Sequence, residues 1–254
     1  MWRPPQAWWR ARRARQKIAL LLLLAAILAV AFALVRDQRS TPSVAERPAA
    51  EVRPGEPDLS RGLVVFDGCS LVEDAGVAPE DGMPAQVMAL LQDALDMENL
   101  GVGGQTTQMM AADAAVEVDP LYEAARPANI LVVWEGTNDL ILGRGPPYDA
   151  PQAYRHLVAY CRARQRTGFR VVSCTVLPRG RSAAFYEARN ALNAELRAHW
   201  TSFADALADV AADKTIGAGG AETEKRYYRD TVHLTAAGYA IVARVVADAV
   251  ERLL

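Results

Sequence analysis

The sequence predicts an α/β protein whose parallel β-sheet is covered by helices on both faces. Short, continuous apolar runs alternate along the chain with longer segments of helical spacing. Such runs are typical of strands that are buried on both faces of a parallel sheet, and the alternation indicates helices packed against it. The composition agrees, because 51% hydrophobic residues in a chain of 254 are sufficient for one domain with a full core.

The strands are predicted from apolar runs that end at turn residues. Residues 63–66 end at an Asp-Gly pair, residues 129–134 at a Glu-Gly pair, and residues 170–177 at a proline. A short strand is also expected to end near residues 99–101, and another lies within residues 203–210. Because parallel sheets bind ligands beyond the carboxyl ends of their strands, the polar residues after these runs are candidates for a site.

Helices are predicted between and after these strands, at residues 84–95, 107–118, 151–166 and 184–200 and from Thr235 to the C-terminus. Pro84 favours the start of the first helix, because its missing N–H is not needed there. Gly168 favours the end of the third, and the hydroxyl of Thr235 is a suitable N-cap for the last.

The first 35 residues have the pattern of a membrane anchor. Residues 1–17 carry six positive charges, and residues 18–35 are uncharged and apolar, near the lower length limit for a helix that spans a bilayer. Under the positive-inside rule, the basic segment stays in the cytoplasm and the rest of the chain lies on the extracytoplasmic side. The alternative is a cleaved signal peptide, since Ala31-Phe32-Ala33 resembles a cleavage site, although the run is long and rich in leucine.

Residues 36–60 contain many prolines and charges and few large apolar side chains, which predicts an extended linker to a domain at residues 61–254. The net charge of −2 includes the six N-terminal cations, so the domain itself is acidic. An acidic domain argues against nucleic acid as a partner, because phosphate binding needs clustered Lys and Arg.

Three cysteines are present, without a C-x-x-C motif or a Cys/His pair at zinc-ligand spacing. We expect buried free thiols. A disulfide between Cys161 and Cys174 is the alternative, and an odd number of cysteines cannot all pair within one chain.

Two polar segments contain the groups needed for nucleophilic catalysis. Ser70 follows the first strand at a tight turn, where its hydroxyl would be exposed, and its alternative role is a helix N-cap. Asp230 and His233 are three residues apart, so on a turn or helix start both side chains face one side. The carboxylate can then hold one imidazole nitrogen and leave the other to deprotonate a serine. His156 and His199 lie in predicted helices without such an acid and are interpreted as helix-face residues.

Two further segments offer hydrogen-bond donors. Residues 99–106 include Gly104 in a glycine-rich stretch, where backbone N–H groups can approach a ligand. Asn138 follows the strand at residues 129–134, and its side-chain amide is a good donor to an oxyanion. The alternatives are a flexible turn for the first segment and a helix cap for Asn138 and Asp139.

In their order along the chain, these four segments resemble the motifs of the SGNH (GDSL) hydrolase family. Gly68-Cys69-Ser70-Leu71 is similar to the nucleophile block, Gly104 to the block II glycine, residues 136–139 to the Gly-x-Asn-Asp block and residues 230–233 to the Asp-x-x-His block. The resemblance covers about residues 62–254. It implies a flavodoxin-like, three-layer α/β/α sandwich with a central parallel sheet, and neither a metal nor an organic cofactor.

The resemblance also implies roles for the site residues. Ser70 would be the nucleophile, His233 the general base and acid, and Asp230 the residue that orients His233. The oxyanion hole would consist of the N–H groups of Ser70 and Gly104 and the side chain of Asn138.

One position departs from the family pattern. The family has Asp between the Gly and Ser of its nucleophile block, whereas this chain has Cys69, with Asp67 on the other side of Gly68. We expect Asp67 to belong to the turn rather than to the triad, which is therefore intact. The Cys69 side chain should point away from that of Ser70, which argues against Cys69 as the nucleophile.

These inferences predict a membrane-anchored serine ester hydrolase that acts outside the cytoplasmic membrane on acylated glycans or lipid-derived esters. An envelope-glycan O-acyltransferase with the same triad is one alternative, although such transferases are often fused to a multi-spanning module. A non-catalytic binding module is another, and the intact triad argues against it. Residues 143–151 and 214–228 are candidate substrate loops, and the oligomeric state is left open.

Overall fold

The computed structural model describes residues 58–92, 94–141, 148–180 and 182–254. The predicted basic segment, the predicted anchor and all but the last three residues of the predicted linker lie outside the described residues, as do residues 143–147 of the first candidate substrate loop. Within the described ranges, no helix has both the length and the apolar character needed to cross a membrane.

The centre of the described domain is a parallel sheet of the strands β1 (Gly62–Gly68), β2 (Leu95–Asn99), β3 (Asn129–Trp134), β4 (Arg170–Cys174) and β5 (Ala206–Ala208). Their order is β2-β1-β3-β4-β5, and each neighbouring pair is parallel. The chain leaves β1 toward β2 at one edge and then returns to β3 on the other side of β1. The strand order therefore reverses between β1 and β3, which is where sheets of this kind bind ligands.

Both faces of the sheet are covered by the helices α1 (Met83–Leu90), α2 (Thr107–Glu117), α3 (Thr137–Ile141), α4 (Ala150–Thr167), α5 (Ala183–His199) and α6 (Ala236–Glu251). Buried side chains of α1 and α6 pack in one core with Val64 and Phe66 of β1. Those of α2, α4 and α5 pack in a second core with Leu63 and Val65. Successive strand residues point to opposite faces, so β1 supplies both cores. The predicted three-layer α/β/α architecture is confirmed.

Two element boundaries differ from the prediction. The helix expected over residues 84–95 ends at Leu90. Gln92 has a φ of 54°, a left-handed conformation that a right-handed α-helix cannot include. Leu95 instead begins β2, where it pairs with Gly62. The strand expected over residues 170–177 ends at Cys174, because the N–H of Val176 donates to the Asn193 side chain of α5 and not to a neighbouring strand.

The three cysteines are buried and free, as expected. Cys161 of α4 lies in the core on one face of the sheet. Cys174 of β4 lies in the core on the other face. The sheet therefore separates the two thiols and excludes the alternative disulfide.

Candidate active site

The predicted site residues lie where β1 and β3 end side by side. Gly68 at the end of β1 is paired with Trp134 at the end of β3, and Ser70 follows two residues later. Only glycine fits at position 68, because a Cβ there would lie 2.3 Å from the carbonyl oxygen of Trp134. This close approach brings the turn that carries Ser70 next to the segment that carries Asn138.

Ser70 begins a tight turn and does not cap a helix. The carbonyl oxygen of Cys69 accepts the N–H groups of Val72 and Glu73, and that of Ser70 accepts the N–H of Ala75. The Ser70 hydroxyl is left for a side-chain partner on another part of the chain, and that partner is His233.

The structure brings Ser70, His233 and Asp230 into one hydrogen-bonded line. The distance from His233 Nε2 to Ser70 Oγ is 3.0 Å, and the distance from His233 Nδ1 to Asp230 Oδ2 is 2.8 Å. Asp230 Oδ1 accepts the N–H groups of Val232 and His233, each at 2.7 Å. These two bonds close a turn over residues 230–233. The Asp230 side chain therefore forms the turn that places the His233 ring beside it.

The Asp230 carboxylate is held in its charged form. Partial burial opposes ionisation, but the N–H and the ring of His233, together with the N–H of Val232, lower its pKa to about 2. A carboxylate that stays ionised favours the tautomer of His233 in which Nδ1 carries the proton. The Nε2 lone pair then faces the hydroxyl of Ser70.

The three predicted oxyanion donors are near one another. A Cβ placed on Gly103 would lie 3.9 Å from the Cβ of Ser70, so the glycine-rich loop borders the nucleophile. Gly104 has a left-handed φ of 76°, with no atom near the place of a Cβ, and the Asn138 amide donates to Gln105 O at 2.9 Å. Among the described residues, no hydrogen bond uses the N–H of Ser70 or Gly104.

Asp139 ties the segment of Asn138 to the start of α2. Its Oδ2 accepts both the backbone N–H and the hydroxyl of Thr107, each at 3.0 Å. Burial raises the pKa of Asp139, while the Thr107 donors oppose the shift. This contact reaches another helix and not the helical turn that follows Asp139, and it fixes the glycine-rich loop relative to Asn138.

Arg179 holds the other end of the Asn138 amide, and the sequence analysis missed it. The guanidinium donates to Asn138 Oδ1 at 3.4 Å and to Thr137 Oγ1 at 3.2 Å. With its oxygen held in this way, the amide presents Nδ2 toward the glycine-rich loop. Its position in the sequence could have identified it, because Arg179 closely follows the predicted strand at residues 170–177, just as Ser70 and Asn138 closely follow predicted strands.

Glu135, which the sequence pattern indicates only as the end of a strand, also contacts the segment of Asn138. The side chain is buried, and its Oε1 accepts the N–H groups of Gly136 and Asn138, both at 2.9 Å. Burial, followed by the negative charge of Asp139, raises the pKa of Glu135 to about 8, against the opposing N–H of Asn138. A buried carboxyl group therefore supports the backbone of the predicted oxyanion donor.

Asp67 lies within β1 and outside the predicted triad. The carboxyl group is buried and accepts a hydrogen bond from the hydroxyl of Tyr160 on α4. Burial raises the pKa of Asp67 to about 7, although the Tyr160 hydroxyl and the N–H of Gly68 lower it. The expectation that Asp67 belongs to the turn is thus only partly met, because its carboxyl group is hydrogen-bonded to Tyr160 of α4, a helix that packs in the second core.

The other two histidines lie on helices, and the second candidate substrate loop reaches the site. His156 lies 3.9 Å from Asp139, and His199 lies 3.6 Å from Glu195 on the same helix. The second candidate substrate loop, residues 214–228, reaches the site at its end, where Tyr228 pairs with Leu234 beside the predicted base. In the part of the chain that the structure describes, no three His, Cys, Asp or Glu side chains form a cluster that could hold a metal ion.

The profile of the GDSL-like lipase/acylhydrolase family matches residues 68–241. No curated protein matches the chain. A protein of the lipolytic G-D-S-L family from Veillonella parvula is similar in structure, with a TM-score of 0.60 and 19% identity, over 75% of this chain and 99% of that one.

Two other solved structures are similar to the same extent. The acetyl xylan esterase AlAXEase has a TM-score of 0.60 and 21% identity over 74% of this chain and 99% of its own. TesA has a TM-score of 0.59 and 18% identity over 76% of this chain and 99% of its own. At these identities the two structures support the fold assignment alone.

Proposed function

The chain belongs to the GDSL-like lipase/acylhydrolase family and is an ester hydrolase, and we propose that it works through an acyl-enzyme on Ser70. The observation that carries this proposal is the line of hydrogen bonds from Ser70 Oγ through His233 to Asp230, at 3.0 and 2.8 Å. A serine hydroxyl becomes a nucleophile when a base within hydrogen-bond distance takes its proton, and a third group must orient that base.

In the first step, His233 Nε2 takes the proton of Ser70 as Oγ attacks the ester carbonyl carbon. The imidazolium that forms is stabilised by Asp230, whose carboxylate accepts the Nδ1 proton at 2.8 Å. The tetrahedral intermediate then collapses as His233 gives its proton to the departing alcohol oxygen, and the acyl group stays on Ser70.

The negative oxygen of that intermediate needs donors that are already in place. The N–H groups of Ser70 and Gly104 and the side-chain amide of Asn138 are suited to this role. The contact of Asn138 with Gln105 and that of Asp139 with Thr107 support it, because they hold the segment of Asn138 against the glycine-rich loop.

In the second step, water replaces the alcohol. His233 takes a proton from water, the resulting hydroxide attacks the acyl carbon, and the proton returns to Ser70 as the acid leaves. The protein, the ester and one water molecule account for all the atoms and protons of the two steps.

The substrate that we propose is an ester of an acylated glycan or of a lipid, outside the cytoplasmic membrane. The support for the location is the basic segment at residues 1–17, followed by the apolar residues 18–35. The acetyl xylan esterase that resembles this chain in fold acts on an acetylated polysaccharide, as its name states, which makes acetylated glycans the first substrates to test.

The location is tested with the full-length chain and a variant without residues 18–35. We expect the full-length chain to remain with the membrane after an alkaline wash, and the variant to be soluble. Protease added from the extracytoplasmic side should digest the domain. A mature N-terminus near residue 34 would identify a cleaved signal peptide instead, and protection from the protease would contradict the proposed side.

The activity is tested with the full-length chain, purified in mild detergent, as wild type and as Ser70→Ala. We expect hydrolysis of p-nitrophenyl esters by the wild type only, and the order of rates on acetate, butyrate and octanoate identifies the preferred acyl length. With the acetate, intact-mass spectrometry of the quenched wild type should show one acetyl group on Ser70. Turnover that survives in Ser70→Ala would contradict the proposed nucleophile.

A further inference from the structure

Cys69 and Glu135 are the residues that directly follow the adjacent strands β1 and β3. Gly68 and Trp134 are the last pair in the register of β1 and β3; Cys69 comes directly after Gly68, and Glu135 comes directly after Trp134. Each side chain is 1% exposed. The Glu135 carboxyl group is close enough to the Cys69 thiol to affect its pKa, which burial raises first and the charge of Glu135 raises further.

Glu135 has contacts that an apolar residue of the same size would not make. Its Oε1 accepts the N–H groups of Gly136 and Asn138. The carboxyl group also forms a side-chain hydrogen bond with the buried Cys69 thiol. Because burial of a carboxyl group without full compensation is costly, the residue is a poor choice for stability alone.

Titratable groups near Glu135 and Asn138 come from three other segments of the chain. Cys69 follows β1, Asp139 lies in α3, and Arg179 follows β4 and binds Asn138 and Thr137. Asn138 is therefore held on two sides, with Glu135 at its backbone N–H and Arg179 at its side-chain oxygen. A shift of either contact moves the Nδ2 group that faces the glycine-rich loop.

We propose that Glu135 is a positioning residue for Asn138 and that it supplies, from the end of β3, the carboxyl group that the family motif carries at position 69. An aspartate at position 69 would place its carboxyl group against that of Glu135 in a region closed to water. Two buried carboxyl groups so close cannot both ionise, and a second one would add a further desolvation cost, so we infer that this space accepts one acid, at position 69 or at position 135. The inference rests on the proposed function, since it assumes that Asn138 stabilises the oxyanion.

Four variants of the full-length protein test this proposal: Glu135→Leu, Glu135→Gln, Cys69→Asp, and Cys69→Asp combined with Glu135→Leu. We expect Glu135→Leu to lower kcat by about 10- to 100-fold with little change in KM, less than the loss of an oxyanion donor itself. Glu135→Gln should stay within about threefold of the wild type, because its amide oxygen still accepts both N–H groups.

The double variant is the decisive measurement. Cys69→Asp alone should lower activity and the melting temperature, whereas the same change in Glu135→Leu should raise kcat by about tenfold, because a single acid is restored. A residue that only fills space would show no such rescue. If the double variant is folded and no more active than Glu135→Leu, or if Glu135→Leu keeps full kcat, the proposal is overturned.

Two controls separate the possible failures. Ser70→Ala is measured beside these variants to show whether the turnover depends on the proposed nucleophile. Turnover that persists in Ser70→Ala would contradict the proposed function, and it would not bear on the role of Glu135. If Glu135→Leu does not fold, Cys69→Asp is compared with Cys69→Asp/Glu135→Gln. We expect the second to be more active because two buried carboxyl groups no longer compete for the same space, and equal activity would overturn the inference.

Discussion

Two carboxyl groups at the site accept the same kind of hydrogen bond and yet differ in charge. Asp230 and Glu135 each accept two backbone N–H groups with one oxygen. The Asp230 side chain is 48% exposed and is paired with His233, and its pKa is lowered to about 2. Glu135 is buried, and that burial raises its pKa to about 8.

The comparison shows that two N–H donors do not by themselves keep a carboxyl group ionised. Access to water and a partner that can become a cation decide the outcome. Asp230 is therefore suited to stabilise a charge that forms during a reaction. Glu135 is suited to hold backbone in place as a largely neutral acid at neutral pH.

The largest effect is expected at His233, the proposed base, which lies between Ser70 and Asp230. His233→Ala should lower kcat by about a million-fold, because the serine then has neither a base nor a proton donor for the leaving group. The melting temperature should change little, since His233 is partly exposed. Single-turnover hydrolysis of p-nitrophenyl acetate measures the effect, and His199→Ala, a change on the surface of α5, is the matched control. A variant with more than a hundredth of the wild-type rate would contradict the assignment of the base.

The next effect tests the charge of the exposed carboxylate. Asp230→Asn keeps an oxygen to accept the N–H groups of Val232 and His233, but its amide nitrogen favours the wrong tautomer of the imidazole. We expect kcat to fall by about 10⁴-fold with the turn intact. Steady-state kinetics and NMR of the imidazole protons check both parts, and a fall below tenfold would show that the negative charge is not needed.

A smaller loss is expected at the proposed oxyanion donor Asn138, whose backbone N–H donates to Glu135. Asn138→Ala removes one donor and should lower kcat by about 100- to 1,000-fold, while KM changes little. The contacts of Asn138 with Gln105 and Arg179 are also lost, so the melting temperature must be measured beside the kinetics. Full kcat in a folded Asn138→Ala protein would remove Asn138 from the oxyanion hole.

The smallest effect concerns stability and compares buried Asp67 with exposed Asp230. The pKa of Asp67 in the folded protein is about 7, above its unfolded value near 4, so the folded state binds more protons between these pH values. Ionisation therefore costs stability as the pH rises from about 4 to about 7, on the order of a few kcal/mol. Asp67→Asn removes this cost.

We expect the melting temperature of Asp67→Asn, relative to the wild type, to rise from pH 5 to pH 7 and then stay level. Asp230 has the opposite sign, because its folded pKa of about 2 lies below its unfolded value. Its contribution is present above about pH 4 and is lost as the pH falls toward 2. Thermal melts of both variants from pH 3 to pH 9 provide the measurement, and parallel curves would contradict the comparison.

Much of the fold followed from local patterns. The runs at residues 63–66 and 129–134 and the cap at Thr235 predicted β1, β3 and the start of α6, because apolar periodicity and capping act over a few residues. The boundary errors lie where tertiary contacts decide. Leu95 continues a helical pattern but joins a strand because a partner is available at Gly62. Val176 leaves its strand because Asn193 takes its N–H.

The sequence by itself determined the family, the order of the elements and the short-range pairing of Asp230 with His233, since three residues of chain set that distance. Tertiary structure alone decided that His233 meets Ser70, 163 residues away. It also decided that Glu135, Asp139 and Arg179 support Asn138, and that Asp67 faces α4. The reason is that local spacing fixes which side chains share a turn, whereas burial and contacts between strand ends arise only when distant segments pack together.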